Sequence, residues 1–113
     1  MAKKRIPDDV RAQVNAIVDR FNKTEMRGRH SFYRARYRGS YLYLDRNDWE
    51  YVCHVCRLKY NGAVDNWDFA IFKYSDERYD PDEWMFPGSE HVDGTIVGAM
   101  RAGLGAYPVY PTR

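Results

Sequence analysis

The sequence predicts an α+β domain: an N-terminal helix, a three- to four-stranded antiparallel β-meander and a C-terminal helix, with both helices on one face of the sheet. Three observations predict it. Apolar residues recur at helical spacing over 7–23. They alternate at a period of two on either side of Gly39-Ser40 and again beyond Trp49, and helical spacing returns over 94–106. With 113 residues, 44% of them hydrophobic and 16% aromatic, the chain can close one core without metal or disulfide help. It reads as one domain, 1–113, with a flexible basic N-terminus (1–6), a long acidic connection (75–93) and an extended tail (107–113).

In the first helix Val10, Val14, Ile17, Val18 and Phe21 form one stripe. Pro7 suits its start, and Asp8 and Asp9 complement the positive end of its dipole. Gly39-Ser40 then has the composition of a type II′ turn. Counting outward pairs Arg38 with Tyr41, Tyr37 with Leu42, Arg36 with Tyr43, Ala35 with Leu44 and Arg34 with Asp45. One face is apolar; the other carries Arg34, Arg36, Arg38, Tyr41 and Tyr43.

A third strand is expected over 49–60, reached through Asp45-Arg46-Asn47-Asp48. Its alternation changes phase, apolar at odd positions through Val55 and at even ones from Cys56. A bulge between Val55 and Cys56 restores one apolar face (Trp49, Tyr51, Cys53, Val55, Cys56, Leu58, Tyr60) and turns Arg57 and Lys59 toward the arginines. Asn61-Gly62 reads as the next turn. A fourth strand over 67–74 is apolar on both sides and expects cover on both. Within the acidic connection, Trp84, Met85 and Phe86 should be pinned to the domain. In the last helix Val97, Met100 and Leu104 form an apolar stripe, and Gly98, Ala102 and Ala106 a small-residue stripe suited to close packing on an aromatic sheet.

Charge is divided along the chain. Residues 1–60 hold 14 Lys and Arg against 7 Asp and Glu, while residues 61–113 hold 4 against 9. A net charge of +2 excludes a clamp built on overall electrostatics, so an anionic partner would need a local patch. The patch is Arg34, Arg36, Arg38, Tyr41, Tyr43, Arg57 and Lys59, approached by Arg27 and Arg29. Its acidic counterpart is Asp76, Glu77, Asp80, Asp82, Glu83 and Glu90.

Catalytic and metal motifs are weak. Cys53-His54-Val55-Cys56 lacks the second pair a structural zinc needs, and the helix start a redox pair uses. It reads as two buried structural thiols. His30, His54 and His91 have no ligand spacing, and Asp76, Asp80 and Asp82 lack the glycine and final glutamate of a calcium loop. No cofactor is expected.

The order helix, antiparallel strands, helix resembles the double-stranded-RNA-binding domain. That family places a lysine-rich run where its second helix begins. Here the stretch is Glu90-His91-Val92-Asp93-Gly94-Thr95, acidic to neutral, so the resemblance implies the outline of the fold without the RNA contacts.

The expectation is a small, cytoplasmic, non-catalytic binding module whose basic, tyrosine-rich sheet face takes an acidic protein surface or a second copy of the chain. Nucleic acid held by the same face is the first alternative. A small enzyme or metal-binding domain around Cys53, His54 and Cys56 is the second. Two cysteines fit a reducing compartment, and neither a signal-peptide core nor a membrane span is expected.

Overall fold

The structure, a computed structural model, describes residues 5–109. Helix α1 (Asp8–Thr24) begins after an extended Pro7, whose carbonyl accepts from the Arg11 N–H at 2.9 Å. Its buried stripe is Val10, Val14, Val18 and Phe21. Ile6 is 1% exposed, and its N–H donates to the Gly39 carbonyl, which docks the chain at the β1–β2 turn. Residues 1–4 of the expected flexible terminus lie outside the described residues, as do 110–113 of the expected tail.

Five strands follow in an antiparallel meander: β1 (Ser31–Arg38), β2 (Tyr41–Asp48), β3 (Tyr51–Ala63), β4 (Asn66–Lys73) and β5 (Arg78–Asp80), adjacent in chain order. The sheet thus has one strand more than the expected upper count, because the acidic connection itself supplies β5. The β1–β2 register is the one expected from Arg38 opposite Tyr41 to Arg34 opposite Asp45. Gly39 takes the positive φ (60°) that the first position of a type II′ turn requires. The bulge is present too. Leu44 faces Cys56 and Asp45 faces His54, leaving Val55 as the extra residue. Val55 and Cys56 are both buried, while Arg57 and Lys59 turn to the opposite side.

Two turns differ from expectation. The polar run 45–48 stays in β2, and the chain reverses at Trp49-Glu50. The reason is local pairing: Arg36 and His54 flank Asp45, and Arg46 makes a forked pair with Asp48 at 2.8 and 2.9 Å. Trp49 (50% exposed) and Tyr51 (73%) consequently sit at a hairpin tip rather than on the core face. Asn61-Gly62 is likewise not the β3–β4 turn. Tyr60 faces Trp67 and Ala63 faces Asn66, so these two residues bulge, with Gly62 at φ 96°, and the turn falls at Val64-Asp65. The Trp67 indole N–H holds that later turn through the Val64 carbonyl at 2.7 Å.

Helix α2 (Ile96–Ala106) starts two residues after the expected position, where the Thr95 hydroxyl accepts from the Gly98 N–H at 3.0 Å. Both helices pack against one face of the sheet. Tyr33 joins them: its ring meets Phe21 edge-on at 5.8 Å, and its hydroxyl donates to the Met100 carbonyl at 2.7 Å. α2 lies close against the sheet at Gly103, which is not in the expected small-residue stripe. A Cβ there would lie 2.5 Å from the Tyr33 hydroxyl and 2.5 Å from Val55. On the same face, Phe86 stacks on Phe69 at 5.9 Å and Trp84 leans on it. Met85, expected to be pinned with them, is 91% exposed.

Candidate binding face

The face of the sheet away from the helices carries every residue of the expected basic patch. Arg34, Arg36 and Arg38 are exposed side by side on β1. Opposite them stand Tyr43 and Tyr41, followed by Arg57 and Lys59 on β3. Alternation on each strand places them there, and the Val55 bulge keeps β3 in phase with β2.

The seven side chains do not form one uniform cationic surface. Arg36 is engaged: its Nε donates to Asp45 Oδ2 at 3.0 Å, and its guanidinium lies 4.4 Å from the centre of the Tyr43 ring. Asp45 is only 7% exposed, so Arg36 compensates a carboxylate that would otherwise be buried on this face unpaired. His54 Nδ1 approaches the same carboxylate at 3.2 Å. Arg57 lies 4.6 Å from the Tyr41 ring and 5.5 Å from that of Tyr79. Tyr79 meets Phe72 and Tyr43 edge-on, and burial pushes its hydroxyl up to about 12. Arginine, tyrosine and Phe72 side chains, rather than a second layer of backbone, thus supply the outer cover that β4 needs. Among the described residues Arg34, Arg38, Arg57 and Lys59 pair with no carboxylate. Of these, Arg57 is half-buried against tyrosine rings, and Arg34, Arg38 and Lys59 are the exposed cations this face presents.

The acidic counterpart lies elsewhere. Lys73 Nζ reaches Glu83 at 3.0 Å, Asp76 at 3.6 Å and Asp80 at 3.8 Å, and Arg78 reaches Asp80 at 3.3 Å. The hydrogen bond from Lys73 holds the Glu83 carboxyl below the ordinary carboxylate range. Glu77 and Asp82 are exposed near this hub, and Glu90 stands 3.7 Å from His91. Lys73 and Arg78 thus bond three carboxylates on the helix side, which remains net negative with Glu77 and Asp82 exposed beside it. The segment 84–86 lies on the helix side and leaves the basic face open.

Around the thiols the chemistry is quiet. Cys53 and Cys56 are unpaired. Burial pushes the Cys56 thiol well up, and burial likewise raises Cys53, so neither is primed as a thiolate. Cys53 is half-buried rather than fully enclosed as expected. Among the described residues no three His, Cys, Asp or Glu side chains gather as a metal site. None of the described helices is long and apolar enough to cross a membrane.

Three features were missed from sequence. Phe32 (45% exposed) and Val52 (57%) flank Asn47 on the basic face, beside Arg34. The alternation that carries Arg34 and Arg36 extends back to Phe32, a readable signal. His54 reaches the face because of the bulge. Trp49 stacks on His30 at 4.6 Å at the adjoining tip, both at positive φ, and nothing in the sequence announces that pairing. No known protein family, curated protein or solved structure matches the chain.

Proposed function

We propose that this chain is a non-catalytic binding module whose basic sheet face holds an acidic segment of a protein partner. The observation that carries the reading is the separation of the two charged regions. Arg34, Arg38 and Lys59 are presented without carboxylate partners, while Asp76, Asp80 and Glu83 gather around Lys73 on the helix side. An acid supplied by another molecule is therefore favoured over the same molecule's own acidic connection. Protein is favoured over nucleic acid because guanidinium groups already lie against Tyr43 and Tyr41, the rings on which a base would stack.

Fluorescence anisotropy with a labelled Glu-rich peptide, beside a single-stranded oligonucleotide of equal charge, tests the reading. The peptide should bind at low salt, weaken with added salt, and lose about tenfold or more in affinity to a variant carrying Arg34→Glu and Arg38→Glu. Tighter binding of the oligonucleotide than of the peptide would reverse the ranking. Equal peptide binding by the charge-reversed variant would remove the face from the account.

A further inference from the structure

We infer that the free edge of β1 takes an extended acidic peptide as a sixth strand of the sheet. This rests on the reading that the basic face binds an acidic protein segment, and it adds the geometry and the sequence pattern of that segment.

β1 ends the strand order, so among the described residues one of its sides has no neighbouring strand. The two-residue turn at Gly39-Ser40 makes Arg38 and Tyr41 a hydrogen-bonded pair, and in an antiparallel ladder such pairs alternate. Arg38, Arg36 and Arg34 therefore direct their main-chain groups into β2, and Tyr37, Ala35 and Tyr33 direct theirs outward. Asn22 confirms the parity. Its Oδ1 accepts from the Tyr33 N–H at 2.8 Å and its Nδ2 donates to the Tyr33 carbonyl at 2.9 Å, as a neighbouring strand would. Among the described residues nothing comparable meets Ala35 or Tyr37. Between the Asn22 clamp and the turn, two outward-facing residues have no main-chain partner among the described residues.

A depression of about 450 Å³ reaches from this edge onto the basic face, lined by Arg11, Arg34, Ala35, Arg36, Tyr37, Asp45 and Val52; its one carboxylate, Asp45, is already bonded by Arg36. Arg11 lies 5.1 Å from the Tyr37 ring, and its Nε is buried without a hydrogen-bond partner among the described residues. The charges select the occupant. Alternate residues of an added strand would lie beside Arg34 and Arg38, the available cations, where Asp or Glu is favoured, with one between them beside Arg36, already bonded to Asp45; the intervening ones would lie beside Ala35 and Tyr37. A second copy of β1 would set arginines beside arginines, which opposes edge-to-edge pairing of the chain with itself. The same charges that keep copies apart admit an acidic strand, a mode in which main-chain bonds give affinity and alternate side chains give specificity.

The probe is a labelled peptide of alternating Glu and Val, about six residues long, matched to the open stretch. Wild type should bind it at low salt, and the amides of Ala35 and Tyr37 should gain protection from hydrogen exchange. The same peptide, N-methylated at alternate residues to remove the pairing N–H groups while keeping its charge, should bind about tenfold more weakly or worse. Ala35→Pro deletes one outward N–H on an edge strand, where proline is tolerated, and should cause a similar loss. Binding of the oligonucleotide of equal charge should be unchanged by Ala35→Pro. Full binding of the methylated peptide overturns strand addition without needing any variant to fold. If Arg34→Glu with Arg38→Glu still abolishes that binding, the basic-face reading survives alone. Failure of the unmodified peptide to bind wild type at low salt overturns the inference outright.

Discussion

Gly103 shows how a single residue sets the spacing of the two layers. In a helix interior glycine costs about 1 kcal/mol relative to alanine. Here that cost is offset because α2 lies against Tyr33 and Val55 too closely to admit a Cβ. Gly103→Ala should therefore lower stability by about 1–3 kcal/mol despite its better propensity, as overpacking in a filled core does. Chemical denaturation checks this, and a more stable variant would refute the packing argument. Arg46 is the other residue that anchors the layers. At 1% exposure it holds Asp48 and donates to the Tyr107 carbonyl at 2.6 Å, placing its charge at the C-terminal end of α2. The sequence presents Arg46 only as part of a polar run, because burial of an arginine depends on partners brought in from distant positions.

At the scale of elements, the hairpin and the bulge are the parts most readable from sequence, and for a physical reason. Alternation has a period of two, so Tyr37 opposite Leu42 and Arg36 opposite Tyr43 each support the same register, and the phase change at Val55 has one economical explanation. The β2–β3 reversal and β5 were not readable. Polar residues 45–48 resemble a loop until Arg36 and Arg46 are seen to bond Asp45 and Asp48, and three residues of β5 carry too short a pattern to recognise. The start of α2 illustrates a different control. Asp93 Oδ1 accepts from the Thr95 hydroxyl at 2.6 Å and from the Thr95 N–H at 3.0 Å, and Thr95 caps the helix. These bonds hold the Asp93 carboxyl below its ordinary range. A depressed folded-state carboxylate contributes stability above the ordinary range and loses it as pH falls through the folded value. Asp93→Ala should thus lower the melting temperature at neutral pH, and the gap to wild type should close in acid. A gap independent of pH would show that the carboxylate charge has no part in the cap.

On the scale of the whole molecule, two helices occupy one face of a five-stranded sheet and leave the other to arginine and tyrosine side chains. The composition of that face followed from alternation, and its openness did not. Whether 84–86 covered it depended on Phe86 finding Phe69, which faces the helices because Leu58 opposite it does. Nor could spacing reveal that Arg36 is committed to Asp45 while Arg34 and Arg38 remain available, since all three occupy equivalent positions in the alternation. The most direct measurement of the central claim is a map of backbone amide chemical-shift changes as the Glu-rich peptide is added at low salt. The account predicts that the largest changes fall on β1 through β3, centred on Arg34 to Arg38 and on Arg57 and Lys59. Changes centred instead on Lys73, Glu83 and Trp84, on the helix side, would contradict it.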